Sequence, residues 1–374
     1  MKFSIQQTVL RSALRSVMPA VAAKSSLPIL ANIKIAVTDS GVIFSATNLN
    51  IGIEQYISLV NGIETGSITL PAKLLNETVA GLPTGHDVTI ETLDNDRVRV
   101  QSGRNAVTIA GIDADEFPSI PVANGATVSM PFGLLQRIIS AVAYAAAADD
   151  SRPVLAGVLL RCRPGEVFAA AADGFRLAMA RYPAQDAAKL ELIIPAQSLI
   201  ELGKVAAQAH SNVDITVNDG GQQVVFGIGA TKLVSRLIDG RFPDVERIEP
   251  RGAARDNSTR MVVPVDLLKD ALKLTKPFAA STQNALRLSV SANTLTLSTP
   301  ENTTGQANVE IGVQSSGNEN NRTNLNQLYL AELLSTVPAS EMAIEIIDAQ
   351  APFLTRYAQD GLEVINIIMP MAVK

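Results

Sequence analysis

The feature that most constrains this chain is an internal repeat, which sets the fold before any local motif is read. Three segments pair a short apolar strand with a leucine-rich amphipathic pattern: Phe3-Ser4-Ile5-Gln6-Gln7-Thr8-Val9-Leu10, Val128-Ser129-Met130-Pro131-Phe132-Gly133-Leu134-Leu135 and Met261-Val262-Val263-Pro264-Val265-Asp266-Leu267-Leu268. Their matching leucines recur at intervals of 125 and 133 positions. A second set, Leu70-Pro71-Ala72-Lys73-Leu74-Leu75, Ile194-Pro195-Ala196-Gln197-Ser198-Leu199 and Leu325-Asn326-Gln327-Leu328-Tyr329-Leu330, follows the first by 65, 64 and 62 positions. Six half-units of similar length result, and 374 residues suit two or three domains at about 100–200 residues each.

Proline tolerates the first helical position because it has no N–H to leave unpaired, so Pro71, Pro131, Pro195 and Pro264 read as helix starts. The predicted helical segments are 6–19, 71–82, 131–148, 195–209, 264–276 and 325–337. Between them lie near-alternating runs that read as hairpins: 87–91 with 97–101, 213–217 with 223–227, and 286–291 with 294–298. Asp94-Asn95-Asp96, Asp219-Gly220-Gly221 and Asn293 supply their turns. Residues 120–125 and 250–257 follow neither period and read as linkers. The expected fold is α+β: three similar domains, 1–122, 126–250 and 259–374, each with two helices packed on antiparallel sheets.

Composition removes several classes. With 47% apolar and 18% charged residues, the chain has material for packed cores and is not a disordered segment. No apolar run approaches the roughly 20 residues of a spanning helix, and Met1 to Gln7 lack the apolar core of a secretory signal, so a cytoplasmic location is expected. One cysteine, Cys162, and two histidines, His86 and His210, leave no Cys/His zinc cluster and few members for a nucleophilic centre. Asp149-Asp150 and Asp113/Asp115-Glu116 are the carboxylate groups a metal-dependent cytosolic hydrolase would use. They lack a phosphate-binding loop, and Asp149-Asp150 reads as a helix end.

Charge is unevenly placed. The six predicted helical segments carry a net +3 while the chain carries −5. Arg11, Arg15, Lys73, Arg137, Lys204, Lys269, Lys273 and Lys276 form either a modest basic layer on an acidic body or ordinary solvated helix faces. Two strings, Asp173-Gly174-Phe175-Arg176-Leu177 and Leu237-Ile238-Asp239-Gly240-Arg241-Phe242-Pro243-Asp244, set cationic, aromatic and apolar groups beside an Asp-Gly pair. They read either as plain hairpin turns or as part of a peptide-binding groove. The C-terminal run from Val364 to Lys374 reads as a final strand with a Met369-Pro370-Met371 tail.

With these motifs in place, the chain resembles the bacterial DNA polymerase III β subunit family, the sliding clamps, from end to end. The resemblance rests on Met1-Lys2-Phe3, Leu27-Pro28-Ile29-Leu30, Gly81-Leu82-Pro83, Gln101-Ser102-Gly103-Arg104, Ala172-Asp173-Gly174-Phe175-Arg176-Leu177, Asp239-Gly240-Arg241-Phe242-Pro243-Asp244 and Met369-Pro370-Met371. It implies a head-to-tail homodimer whose six domains close into a ring around duplex DNA, with helices lining the hole. It implies no catalytic residue, no metal, no cofactor and no membrane. The implied partners are duplex DNA, held without base reading, and replicative polymerase and clamp-loader subunits that dock through short linear motifs. A protein-interaction ring that does not encircle DNA is the alternative.

Residue by residue, the resemblance puts the partner-peptide pocket on Leu155, Ala172, Gly174, Phe175, Arg176, Leu177, Pro243, Arg247, Ile248, Asn326, Tyr329, Ile367, Met369, Pro370 and Met371. Ala172 stands where threonine is common, Phe175 where histidine is common, and Ala372-Val373-Lys374 replaces an Arg-Leu ending, departures that bear on partner preference. For DNA, the resemblance matches Lys24 and Lys73 to basic positions of the family, while Gln197 takes a place that is often lysine; Arg11, Arg15, Arg137, Lys204, Lys269 and Lys273 of the basic helical layer would face the duplex with them. At the ring interface, Arg104, Val107 and Ile109 would face Pro277 and Phe278 of the other copy, an apolar contact between different surfaces.

Overall fold

The computed structural model describes residues 1–59, 64–149, 151–185, 187–206, 211–218, 220–250, 255–303, 305–318 and 320–372. His210, Asp150, Asp219, Val373, Lys374 and part of the 250–257 linker lie outside them.

Among the described residues, six α-helices mark the six half-units: α1 (Gln7–Val17), α2 (Ala72–Gly81), α3 (Phe132–Val142), α4 (Ala196–Val205), α5 (Val265–Ala279) and α6 (Gln327–Thr336). Each is preceded by one strand and followed by three, and the one addition is the short strand Gln314–Gly317. All three predicted hairpins form, pairing Asp87–Thr92 with Arg97–Ser102, Asn212–Val217 with Gln223–Ile228, and Ala285–Ser291 with Thr294–Ser298. Asn95 and Asp96 turn the first of them with φ of 58° and 55°, left-handed values that short polar side chains tolerate.

The prolines stand one place earlier than expected. Pro71 and Pro264 have ψ of 114° and 124°, extended values, so each ends its strand and caps the helix from outside. Pro71, Pro131, Pro195 and Pro264 all pair across a sheet, with Asn32, Asn212, Gly157 and Glu341. The last predicted turn of α3 is also missing. After Val142 the chain tightens into a 3₁₀ turn and extends at Ala146, and the Ala147 N–H donates to the Leu155 carbonyl at 2.8 Å. Docking of Ala147 on an apolar cluster overrides the helix preference of the alanine run. Asp149 therefore does not end a helix; its carboxylate accepts the Ser151 N–H at 2.9 Å.

Two compact units result, Met1–Gln136 with Ser198–Leu237, and Arg137–Gln197 with Ile238–Lys374. In the first, a four-stranded sheet orders Lys2–Gln6, Asp87–Thr92, Arg97–Ser102 and Asn105–Ala110. An eight-stranded sheet beside it is joined where Ile51–Ser58 pairs antiparallel with Thr231–Arg236. In the second, a nine-stranded sheet is joined where Arg176–Ala184 pairs antiparallel with Leu362–Ile368, and a four-stranded sheet ends on Asn308–Gly312. Strand pairing across repeat boundaries, more than the repeats themselves, thus defines the compact units.

α1 buries Leu10, Ala13, Leu14 and Val17, one stripe at helical spacing, against its sheets. The buried Gln7 amide donates to the Val79 carbonyl of α2 at 2.7 Å, and the buried Gln327 amide of α6 donates to the Leu272 carbonyl of α5 at 2.6 Å. The same device thus locks the first and last helix pairs. Among the described residues, no helix is long and apolar enough to cross a membrane.

Candidate functional site

Asp173-Gly174 closes a hairpin, since Ala172 pairs with Leu177 and Gly174 takes φ +95°. Asp173 Oδ1 accepts the Phe175 and Arg176 N–H groups at 2.8 and 2.9 Å, which fixes the turn, and its Oδ2 accepts Arg176 Nε at 3.0 Å. Arg176 is thereby aimed across the final strand onto α6. Its guanidinium stacks 4.6 Å from the Tyr329 ring centroid and 5.4 Å from that of Tyr144, and it pairs with Glu332. Burial pushes the Tyr144 phenol well above its ordinary pKa, and Tyr144 donates to Asn366 at 2.8 Å. Burial also raises Tyr329, with Asp173 adding to it.

Beside this hairpin the sheet presents an apolar floor. The cross-strand row Ala172, Leu177, Ile367, Leu354 carries buried side chains, and Leu155, Phe242, Val245 and Ile347 join them in one cluster. The Met369 N–H donates to the Phe175 carbonyl at 2.8 Å and the Met371 N–H to the Asn324 carbonyl at 2.7 Å, so the tail lies between the hairpin and the strand leading into α6. Phe175 is 60% exposed and Met369 41%, large apolar side chains left in solvent beside a buried apolar floor.

Of the fifteen expected pocket residues, Leu155, Ala172, Leu177 and Ile367 form the floor, and Gly174, Phe175, Arg176, Tyr329, Met369, Pro370 and Met371 stand around it. Pro243, Arg247 and Ile248 sit on an irregular segment that is not a hairpin, so the second Asp-Gly string forms no strand turn. They reach the floor through their neighbours Phe242 and Val245. The Asn326 side chain is committed to capping α6, accepting the Leu328 N–H at 2.9 Å. Sequence reasoning misses Tyr144, Ile347 and Glu332, whereas Phe242 belongs to the second Asp-Gly string and joins the floor. Only Glu332, one helical turn beyond Tyr329, carries a local signal.

The expected DNA-facing cations divide in two. Arg137 pairs with Asp360 at 2.8 Å, Lys204 with Glu201 at 3.0 Å and Lys273 with Asp270 at 2.8 Å. Arg11, Arg15, Lys24, Lys73 and Lys269 make no ion pair among the described residues, and Lys24 lies on a bend outside any helix. Between α5 and α6 a cavity of about 260 Å³ has an apolar floor of Leu272, Leu328 and Leu334 and a rim of Lys269, Lys273 and Lys276.

At the expected interface, Arg104 and Val107 are exposed on or beside the edge strand Asn105–Ala110. Ile109, expected to face another copy, is instead 2% exposed, because it pairs with Val98 and points into the core of its own sheet. Pro277 and Phe278 fall inside the last turn of α5. Among the described residues, no group of three His, Cys, Asp or Glu side chains is placed to hold a metal.

Family models match this chain along three successive stretches: the DNA polymerase III beta subunit N-terminal domain at residues 1–121, its central domain at 129–244 and its C-terminal domain at 254–372. The Beta sliding clamp of Bacillus subtilis is 28% identical over 383 residues, with 99% of each chain covered. The crystal structure of the DNA polymerase sliding clamp from that organism covers all of both chains at TM-score 0.89 and 28% identity. A sliding clamp of Pseudomonas aeruginosa bound to griselimycin does so at TM-score 0.90 and 26% identity. Three consecutive domain matches on a repeated fold of the same order have one conclusion: the chain belongs to the DNA polymerase III beta subunit family, the sliding clamps.

Proposed function

We propose that two copies of this chain close head to tail around duplex DNA and tether the replicative polymerase to its template, acting in the cytoplasm as a clamp and not as an enzyme. The observation that carries the ring is a pair of unmatched strand edges. Within the chain, the last strand of the first half-unit pairs with that of the fourth, and the last strand of the third with that of the sixth. The same rule leaves the second and fifth, Asn105–Ala110 and Asn308–Gly312, as sheet edges. Each would find the other on a second copy, and because the two edges differ, the contact is heterologous and closes only as a ring.

DNA is then held through phosphate charge by cations on the helical layer, without base reading. Arg11, Arg15, Lys24, Lys73 and Lys269 lead, because no carboxylate among the described residues neutralises them, and Arg137, Lys204 and Lys273 contribute less. Linear motifs of polymerase and clamp-loader subunits seat on the floor of Leu155, Ala172, Leu177 and Ile367, with Phe175, Arg176, Tyr329, Met369 and Met371 as walls. The domain boundaries 1–122, 126–250 and 259–374 complete this reading. Light scattering across a dilution series tests it. A mass near twice 39.5 kDa is expected, and a stable monomer would remove the ring.

A further inference from the structure

The segment that follows Ile238 crosses the same sheet face that carries the apolar floor. Among the described residues, its last backbone bond to the sheet is Ile238 N–H to the Ile193 carbonyl at 2.9 Å. Beyond that point its backbone bonds are internal to a 3₁₀ turn, Val245 N–H to Pro243 at 2.8 Å and Ile248 N–H to Val245 at 3.1 Å. The buried Phe242 and Val245 dock on the floor, and two carboxylates three residues apart hold the rest. Glu246 Oε2 accepts Arg161 Nη2 at 2.8 Å and its Oε1 accepts Arg181 Nη2 at 3.1 Å. Glu249 Oε1 accepts Arg356 Nη2 at 2.7 Å.

These arginines are held by the sheet independently of the segment. Arg161 and Arg181 lie in one cross-strand row with Phe168 between them, and their guanidinium groups stand 4.5 and 5.0 Å from its ring centroid. Arg356 is held by Glu345, a carboxylate 3% exposed, at 3.1 Å. The pairs are partly desolvated, with Arg161 at 18% and Glu249 at 16% side-chain exposure, so they are screened less than surface pairs. Burial alone would raise the Glu246 pKa, but hydrogen bonds and charge from Arg161 and Arg181 hold it below its ordinary value.

We infer that Glu246 and Glu249 form a two-point ionic latch that presses the segment carrying Pro243, Arg247 and Ile248 onto the sheet and so sets the width of the partner-peptide pocket. Both are positioning residues that touch no partner themselves. The inference rests on the proposed pocket, and its test separates the two.

The full chain is prepared as wild type and as Glu246→Gln, Glu249→Gln and the double variant, which keep side-chain shape and remove charge. Thermal midpoint and solution mass check the fold. Amide exchange over 242–250 reads the latch, and a labelled peptide bearing the clamp-binding motif of a replicative polymerase reads the pocket. The double variant is expected to exchange faster in that segment and to bind the peptide roughly tenfold more weakly, in the range of partly buried charge pairs. Raising salt should quicken the same amides in the wild type, a result that needs no variant. Unchanged exchange in the double variant overturns the latch, and faster exchange with unchanged affinity overturns its control of the pocket. A wild-type chain that does not bind the peptide overturns the pocket itself, and the exchange measurement still decides the latch.

Discussion

Replacing Arg176 with methionine separates the hairpin's structural work from its binding work. The side chain is 10% exposed, and its two ion pairs and its contacts with the Tyr329 and Tyr144 rings differ in worth. The pair with Asp173 is buried, with 13% exposure on the carboxylate, and a charged hydrogen bond of that kind contributes about 1.5–3 kcal/mol. The Tyr329 stack adds about 1 kcal/mol. Glu332 is 54% exposed, so its arm contributes less than about 1 kcal/mol. Methionine keeps the apolar stem and returns about 1 kcal/mol of burial. The net loss is about 1.5–4 kcal/mol, read as a fall of roughly 3–16 °C in the transition of the second compact unit, at about 2–4 °C per kcal/mol for a unit of this size. The turn survives, because Asp173 Oδ1 still accepts two backbone N–H groups. Peptide affinity should fall about tenfold or more, since arginine is prominent among interface anchors. Glu332→Ala is the control and should move the transition less, by under about 1 kcal/mol. Equal effects from the two variants would refute the ranking by burial, and unchanged peptide affinity in Arg176→Met would remove Arg176 from the pocket.

Three further outcomes are expected. Burial alone would raise the Glu345 pKa, but hydrogen bonds from Arg255, Ser258 and Arg260 and the charge of Arg255 bring it down to about 2. Its contribution, about 3 kcal/mol, is therefore complete above the ordinary carboxylate pKa of 4.5 and lost as pH falls towards 2, so denaturation profiles of Glu345→Gln should lack that acid limb. Replacing Lys24 and Lys73 with alanine should lower the salt slope of DNA binding by about 1 for each phosphate no longer neutralised, whereas Lys204→Ala, already paired with Glu201, should change it less. Val107→Asp puts a charge on an edge strand and should reduce the solution mass to 39.5 kDa, while an unchanged dimer would place the interface elsewhere.

The six half-units are legible because a strand and a leucine stripe recur at nearly fixed spacing, and both periods are local properties of the chain. Pro71 and Pro264 fall one residue from their expected place because a proline ending a strand and one opening a helix look alike in sequence; only the backbone angles tell them apart. The alanine run after Val142 departs from helix for a different reason, since its partner, the Leu155 carbonyl, lies beyond a bend. The family resemblance sets Ile109 outward, but it pairs with the buried Val98 and shares that inward face. The proposed pocket is legible where one hairpin or one tail supplies the residues. Its remaining parts come from far along the chain, since Tyr144 and Glu332 meet at Arg176, and the expected DNA-facing cations share that limit, with Asp360 neutralising Arg137 from 223 positions away. No spacing rule reaches that far.

A ring holds DNA by topology and not by charge, and retention on circular DNA distinguishes the two. The protein is loaded onto nicked circles, washed at a salt concentration that screens phosphate charge, and the circle is then linearised. A closed ring stays on the circle through the wash and slides off the linear ends. Release in the wash would make the association ordinary charge binding, and persistence on linear DNA would show that the chain does not encircle the duplex.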